Sequence, residues 1–262
     1  MYIAKASSVT GPYTVDAEAY RLLTTQSRRD TYFTRFFRSP DGLLVNHQFV
    51  RRDGEAFFAP LKRAVVDSGG HLRLHYWDGN ERLKGKPISI GADSSIRAAG
   101  LSNWTTDGTT IDARQSLGAS VIPLEPKVDL DKGVVLEGSL TIGRPKKAFA
   151  GAGVFIEQSD GRGTGMLLQT NGVTEFGIYG KSNLGPGFVV DDTVETGISP
   201  LREYRFRLLV RRDLAELYLD DQLVQCYSLP IESYSGRLGL FVADGDAKFS
   251  NLHAWEMTLA GE

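Results

Sequence analysis

Cysteine is almost absent from this chain of 262 residues, because Cys226 is its single cysteine. One thiol cannot form an intramolecular disulfide, so a disulfide-stapled fold is excluded. Long apolar runs are also missing, and no stretch approaches the ~20 residues that a membrane-spanning helix needs, so we expect no membrane partner. The N-terminus lacks a basic region followed by an apolar core, which predicts no signal peptide and a cytoplasmic location if Met1 is the native start.

A strong charge of one sign is missing as well. The chain carries 30 Lys or Arg and 32 Asp or Glu, which gives a formal net charge of −2. Because nucleic-acid-binding proteins need a clustered basic surface, we expect no nucleic-acid partner. Helix signals are scarce, whereas Gly, Asp and Asn recur at intervals of about ten residues, as they do in β-sandwiches and barrels.

What the sequence has in abundance is the alternation of apolar and polar residues that is typical of half-buried antiparallel strands. The alternation is clearest near the C-terminus, in residues 204–210, 214–219, 223–227, 237–243 and 247–257. Further strand-like runs lie within residues 134–179, where Asn171-Gly172 suits a tight hairpin turn. Together these runs predict at least eight strands, which is enough for a two-sheet sandwich.

A second strand-rich region lies near the N-terminus. Its strand-like runs are residues 31–37, 43–51, 55–58 and 71–77, and four consecutive antiparallel strands resemble one propeller blade. One blade cannot bury both of its faces, so it needs a neighbouring layer. We therefore predict an all-β protein with a blade-like segment at 1–90, a transitional segment at 91–127 and a β-sandwich of the concanavalin A-like type at 128–262.

Two stretches of the sequence carry a family resemblance. One reads YRFRLLVRRDLAELYLDDQLVQCYSL and the other GVVLEGSLTIGRPKKAFAGAGVFIEQ. Together they resemble the C-terminal β-sandwich of glycoside hydrolase family 32 β-fructosidases, over residues 120–258. The N-terminal YIAKASSVTGPYTVD is similar to a phrase of five-bladed propeller glycosidases of families 32 and 43. The resemblance implies the last propeller blade and the sandwich of a protein of the β-fructosidase superfamily.

The resemblance also implies a function in carbohydrate metabolism. Glycoside hydrolases cleave glycosidic bonds with a pair of carboxyl groups, but the Arg-Asp-Pro and Glu-Cys phrases of this family are absent from the sequence. Whether the chain is an enzyme therefore stays open. We expect it to support or bind an oligosaccharide or polysaccharide, with a propeller domain, a subunit or a second copy as a further partner. A lectin-like sandwich without catalysis and a structural interaction module are the alternatives.

Three residues are weak catalytic candidates. Asp30 follows two arginines and opens an aromatic strand, and Glu55 lies beside Phe57 and Phe58 on a short strand. His47 lies in the middle of a strand, and the propellers of family 43 carry a histidine near the axis of their final blade. A capping or ion-pair role for Asp30, and structural roles for Glu55 and His47, are the alternatives.

A candidate sugar-binding site follows the strand of residues 71–77 and consists of Tyr76, Trp77, Asp78 and Asn80. Aromatic rings stack on the C–H faces of sugars, and nearby carboxylate and amide groups bond their hydroxyls. For Trp77, core packing or domain docking is the alternative.

No metal or cofactor is predicted. His71 and His75 share one face of a predicted strand, but no third ligand lies near them in the sequence. The glycine-rich residues 161–165 precede no helix signal, so we predict a hairpin loop there and not a phosphate-binding loop.

Overall fold

The computed structural model describes residues 2–19, 21–23, 31–50, 54–93, 101–106, 110–115, 118–159, 161–182, 185–198, 202–230 and 233–259. Nearly all of its regular structure is β-strand, so the predicted all-β fold is confirmed. A 3₁₀ helix (Asp78–Leu83) is the one helical element in these ranges. No helix in the same ranges is long and apolar enough to cross a membrane.

The N-terminal region begins with a two-stranded ribbon and continues into a sheet of five strands, which we call the N-terminal sheet. The ribbon pairs β1 (Ala4–Lys5) with β2 (Thr14–Val15). The strands of the sheet are β3 (Thr31–Ser39), β4 (Gly42–Val50), β5 (Ala56–Phe58), β6 (Lys62–Val66) and β7 (Leu72–Tyr76). They pair in the order β7-β6-β4-β3, and β5 also pairs with β4.

The remaining strands form a two-sheet sandwich. They are β8 (Lys84–Ile88), β9 (Gly91–Ala92), β10 (Leu101–Thr106), β11 (Thr110–Gln115), β12 (Ala119–Glu125), β13 (Val128–Asp129), β14 (Val134–Pro145), β15 (Gly151–Ser159), β16 (Arg162–Gln169), β17 (Val173–Ser182), β18 (Gly185–Glu195), β19 (Tyr204–Arg211), β20 (Leu214–Leu219), β21 (Gln222–Ser228), β22 (Ser235–Ala243) and β23 (Gly245–Met257).

The first sandwich sheet has the order β10-β11-β23-β14-β19-β20-β21, with β8 also paired to β23. The second has the order β18-β17-β16-β15-β22-β12-β9, with β13 also paired to β22. Strands within the predicted transitional segment therefore belong to both sheets: β10 and β11 to the first, β9 and β12 to the second.

Among the described residues, a single pair of strand residues connects the ladder of the N-terminal sheet to that of the first sandwich sheet. His75 of β7 pairs with Gln222 of β21, and the Tyr76 N–H donates to the Asp221 carbonyl at 2.7 Å. Beyond this junction the N-terminal sheet folds back over the outer face of the first sandwich sheet. The protein therefore has three β layers and two cores between them.

The first core lies between the two sandwich sheets and is mostly apolar, with a buried hydrogen bond from the Gln225 amide to the Thr174 hydroxyl at 3.1 Å. It is built from alternate positions of the strands, such as Leu136, Leu140, Phe206, Leu208 and Leu240. Because successive side chains of a strand point to opposite faces, the residues between these positions face outward.

The second core uses some of those outward-facing positions. Val135, Leu209 and Tyr218 of the first sandwich sheet pack against Val45 and Phe49 of the N-terminal sheet. The blade-like segment thus covers one of its faces with the sandwich, as the need for a neighbouring layer predicts.

Candidate functional site

The residues predicted to bind sugar lie around the start of the 3₁₀ helix, and Tyr76 is buried there. The Arg207 guanidinium carbon lies 3.5 Å from the centre of the Tyr76 ring. The ring also packs edge to face with Tyr218, at 5.5 Å between centroids. Burial raises the pKa of Tyr76 well above its usual value. Tyr76 therefore has protein neighbours at its ring face and at its edge.

Of the other three predicted sugar-binding residues, two reach solvent. Trp77 is half-buried, and its indole N–H donates to Asp41 Oδ2 at 3.0 Å. Asp78 is exposed, whereas Asn80 is buried and its side-chain amide donates to the Leu61 carbonyl at 2.7 Å. A sugar site at these positions stays a prediction, and Trp77 with Asp78 forms its accessible part.

The three catalytic candidates have different surroundings. Asp30 lies outside the described residues. Glu55 is exposed, with Oε2 at 3.4 Å from an Arg212 guanidinium nitrogen. His47 is fully buried, and its Nε2 lies 3.4 Å from Glu216 Oε1. A catalytic role for any of them stays a prediction.

His47 belongs to a buried charged cluster in the second core that the sequence analysis does not anticipate. At its centre is Glu216 of β20, whose Oε1 lies 2.5 Å from the Lys62 ammonium nitrogen. The Tyr218 hydroxyl donates to Glu216 Oε2 at 2.7 Å, and Lys62 also donates to the Pro60 carbonyl at 2.7 Å. Lys62 and Glu216 come from different layers, so the cluster ties the N-terminal sheet to the sandwich.

The charges of this cluster are set by its burial and by its internal pairing. Burial would raise the pKa of Glu216, but the Lys62 ammonium and the His47 imidazole outweigh it and hold that pKa at about 2. Burial, followed by the charge of Lys62, lowers the pKa of His47. Glu216 is therefore a carboxylate and His47 a neutral imidazole near neutral pH.

The same cluster contains the ligand atoms of a conceivable metal site. Donor atoms of His47, Glu216 and Cys226 all lie within 4.8 Å of one another. The Lys62 ammonium is already bonded to the Glu216 carboxylate, and it supplies the positive charge that a metal ion would bring. Burial raises the pKa of the Cys226 thiol, which keeps it protonated. The cluster is therefore best described as a buried ion pair between two layers.

A groove opens where the N-terminal region meets the edge of the sandwich, and we call it the junction groove. Its volume is about 240 Å³. One wall is formed by residues 17–19 and 21–22, the floor is β7, and the other wall comes from the ends of β17, β18 and β21. The apolar side chains of the floor and walls include Leu22, Leu74 and Leu223.

Polar groups surround this apolar surface. Arg21 donates to Asp192 Oδ1 at 3.1 Å and to the Thr193 carbonyl at 3.2 Å, which ties the loop wall to β18. Gln222 donates to the Thr196 carbonyl at 2.9 Å, which leaves its amide oxygen as an acceptor. The groove thus combines hydrogen-bonding groups with an apolar floor.

Asp16 fixes the loop wall of the groove. Its Oδ1 accepts the backbone N–H groups of Glu18 and Ala19, both at 3.2 Å, which makes a local turn. His71 Nδ1 lies 2.9 Å from the same carboxylate, and His71 Nε2 lies 3.1 Å from Glu18 Oε2. Burial would raise the pKa of Asp16, but bonds from His71 and Lys5 hold it well below its usual value.

The outer face of the second sandwich sheet, by contrast, is filled by the protein itself. This sheet curls until β18 contacts β12, and Phe188 of β18 packs at 4.9 Å from the Phe241 ring. A Cβ atom added at Gly165 or Gly177 would lie 3.1 or 2.9 Å from the Phe188 ring, so glycine makes room for it. This face leaves little space for a ligand, whereas the junction groove is open.

The fold has relatives among solved structures. No protein-family model matches the sequence, and no curated protein matches it either. The chain is similar to a glycoside hydrolase family 32 protein from Bifidobacterium adolescentis, with 17% identity and a TM-score of 0.52, over 98% of this chain and 36% of that one. The likeness is one of fold.

Two further structures are similar to the chain. The Aspergillus kawachii beta-fructofuranosidase gives 11% identity and a TM-score of 0.56, over 97% of this chain and 50% of that one. Carbohydrate binding module CBM66 from Bacillus subtilis gives 19% identity and a TM-score of 0.48, over 64% of this chain and 96% of that one. The resemblance to β-fructosidases is thus confirmed as a shared fold, and the chain spans 36–50% of the length of the two family members named first.

Proposed function

We propose that this chain binds carbohydrate in the junction groove, as the non-catalytic part of a protein built like a β-fructosidase. The observation that carries the proposal is the groove itself, in which an apolar floor is rimmed by convergent polar groups. The fold shared with a beta-fructofuranosidase supports the choice of sugar as the ligand. Binding is proposed, and not hydrolysis, because the catalytic phrases of the family are absent from the sequence.

The groove matches the chemistry of a single sugar ring. A sugar presents C–H groups that can lie on the half-buried Leu72 and Val173, and hydroxyls that can bond Gln222 and the carboxylates of Glu18 and Glu195. Its volume of about 240 Å³ is below the ~300–1,000 Å³ of sites for drug-sized ligands. This size favours one sugar residue, such as the end of an oligosaccharide.

Calorimetric titration of the intact chain with an inulin-type fructo-oligosaccharide and with maltotriose tests the proposal. We expect the fructo-oligosaccharide to bind and Gln222→Ala to weaken binding about tenfold, because a lost hydrogen bond that leaves a buried partner unpaired costs ~1–3 kcal/mol. The matched control is Gln158→Ala, since Gln158 bonds Thr164 in the sandwich at 2.9 Å and does not line the groove.

Trp77→Ala separates the groove from the sugar site predicted by sequence. We expect this variant to bind as the unmodified chain does. If Trp77→Ala abolishes binding and Gln222→Ala does not, the sugar lies beside the 3₁₀ helix and the groove proposal fails. Absence of binding to every sugar tested also contradicts it.

A second candidate function is to support a larger assembly, and the exposed surface of the N-terminal region favours it. Among the described residues, nine of the twelve exposed large apolar side chains lie within residues 2–66. They are Tyr2, Val9, Tyr13, Val15, Phe36, Phe37, Leu43, Phe58 and Val66. Surfaces of this kind mark sites of protein contact. We propose further propeller blades, in the same protein or in a subunit, as the partner.

Size-exclusion chromatography with light scattering tests this second function. The chain alone is expected to associate as its concentration rises, because the apolar surface of the N-terminal region is uncovered. A single monomeric species over the whole concentration range argues against a supporting role.

A further inference from the structure

Charge is unevenly spread along the chain. Residues 21–63 contain nine Lys or Arg against four Asp or Glu, a net of +5, so the rest of the chain carries −7 of the total of −2. This positive stretch includes the strands of the N-terminal sheet from β3 to β5 and the start of β6.

Arginines of the sandwich mostly face carboxylates. Arg212, for example, lies 2.8 Å from Asp131, and Arg237 lies 3.1 Å from Asp93. Three arginines of the N-terminal sheet differ, because no described carboxylate forms an ion pair with Arg35, Arg38 or Arg63. The Nε atom of Arg63 is buried and has no hydrogen-bond partner among the described residues.

Two of these arginines share the sheet face that points away from the sandwich. Arg35 pairs with Asn46, and Arg63 pairs with Leu44 two positions along the same strand. Positions 45, 47 and 49 of β4 face the second core, so Asn46 and Leu44, together with the arginines opposite them, lie on the other face of the sheet, where Leu44 is itself covered and only 2% exposed. By ordinary strand spacing the two arginine backbones lie roughly 12 Å apart.

Aromatic rings accompany the arginines on this outward face. Phe37 pairs with Leu44 and Phe58 pairs with Gln48, which places both rings on the same side as Arg35 and Arg63. Phe37 is 41% exposed and Phe58 70% exposed. We call the surface made by Arg35, Phe37, Phe58 and Arg63 the arginine face.

The pKa of His75 responds to the charge of Arg63, which lies opposite it across the β6–β7 ladder. Burial and then the charge of Arg63 lower the pKa of His75. Two carboxylates, Asp221 and Asp67, act in the opposite sense on His75, and Arg73 reinforces Arg63. Asp67 is itself paired with Arg73 at 3.1 Å, so it does not neutralise the arginine face.

We propose that the arginine face binds an acidic polysaccharide, a polymer of uronate sugars. Guanidinium groups bond carboxylates in a two-pronged geometry, and exposed aromatic rings stack on sugar faces. Nucleic acid is a poorer fit, because its binding needs a clustered basic surface, whereas this face carries two arginines whose backbones lie roughly 12 Å apart. This surface is separate from the junction groove, so it adds a second sugar-binding surface to the protein. It shares Phe37 and Phe58 with the apolar surface of the second candidate function, so polysaccharide and propeller blades would compete for these two rings.

The test titrates the intact chain with polygalacturonate and with the same polymer after methyl esterification, which removes the charge and keeps the sugar. We expect binding of the acid form alone, and weakening as salt rises. The double variant Arg35→Gln/Arg63→Gln is expected to weaken binding about fivefold or more. Arg144→Gln, at an exposed arginine of the sandwich, is the matched control.

Several results would overturn the inference. They are equal binding of the esterified polymer, no loss in the double variant, tighter binding of single-stranded DNA or of an acidic protein, and no binding of polygalacturonate at all. Thermal melting shows whether the double variant is folded. Gln222→Ala is expected to leave polygalacturonate binding unchanged, so a failure of the groove proposal stays distinguishable from a failure of this one.

Discussion

The two cores of the protein are built on different principles. Between the sandwich sheets the core is mostly apolar, as Leu136, Phe206 and Leu240 illustrate, and the buried polar side chains of Gln225 and Thr174 are uncharged and bond each other at 3.1 Å. Between the sandwich and the N-terminal sheet, apolar packing surrounds the ion pair of Lys62 with Glu216. An apolar core can be repacked in several ways at modest cost, whereas a buried charge must find its partner.

The difference shows what each core contributes. Burial of apolar area stabilises the sandwich without specifying one arrangement. A buried ion pair adds little net stability, because desolvation offsets the attraction. Removal of one partner alone is strongly destabilising, because the other charge then stays buried without a counter-charge. We infer that the Lys62–Glu216 pair fixes how the N-terminal sheet lies on the sandwich. The four predictions that follow test this contrast, from the largest effect to the smallest.

Replacement of the central carboxylate should have the largest effect. Glu216→Gln leaves the Lys62 ammonium buried without a counter-charge, and we expect a loss of ~3–5 kcal/mol in the free energy of unfolding. Urea titration followed by circular dichroism measures it. Glu203→Gln, at an exposed site, is the control and should change stability by less than ~0.5 kcal/mol.

Leu208→Ala supplies the matching change in the apolar core, with an expected loss of ~2–5 kcal/mol. Limited proteolysis then separates the two cores. In Glu216→Gln the N-terminal sheet should be cleaved by protease before the sandwich, whereas Leu208→Ala should make both regions sensitive to protease together. A loss below ~1 kcal/mol in Glu216→Gln would show that the ion pair does not fix the N-terminal sheet.

Acid should weaken the second core before the first. The pKa of Glu216 falls from 4.5 to about 2 on folding, so its carboxylate stabilises the fold above pH 4.5. This contribution, about 3 kcal/mol from the shift, is lost between about pH 5 and pH 2. The lowered pKa of His47 acts with the same sign, and its contribution begins to fall below about pH 6.5. Urea titrations at several pH values measure how steeply the free energy of unfolding changes with pH. This dependence should be weaker in Glu216→Gln.

An exposed ion pair should matter least. Arg205 lies 3.0 Å from Asp221, and the two side chains are 70% and 34% exposed. Water and salt screen such a pair, so Arg205→Ala is expected to cost less than ~1 kcal/mol. The same urea titration checks this value, and a loss as large as that of Glu216→Gln would remove the distinction between buried and exposed pairs.

Much of the sandwich could be predicted from the sequence, because strand alternation is a local signal. Residues 204–210 and 214–219 are predicted as strands, and the structure has strands at Tyr204–Arg211 and Leu214–Leu219. Strand β20 gives a further signal, because its sequence LAELYL is apolar except for Glu216. In the structure all six of its residues are buried. A strand buried on both faces needs a layer on each side, and Glu216 inside that run marks a buried charge.

The junction groove could not be predicted in this way. Arg21, Leu74, Thr193 and Gln222 meet there from four distant parts of the sequence. No local pattern brings these positions together, because their meeting depends on the way the N-terminal sheet folds back. Trp77 and Asp78, by contrast, can be proposed as a site from the sequence because they are adjacent in the chain. In the structure the Trp77 indole N–H donates to Asp41 in the β3–β4 turn.

Strand β3 also bears on how copies of the protein behave when they are crowded. Among the described strands it is the last of its sheet, so one row of its backbone hydrogen-bonding groups has no strand partner in the part of the chain that the structure describes. Such an edge can recruit the edge of another molecule and begin a growing aggregate. Arg35 and Arg38 place like charges along it, and two edges that approach each other repel. Removal of these arginines therefore carries a solubility cost, and concentrated samples of such variants are expected to precipitate first.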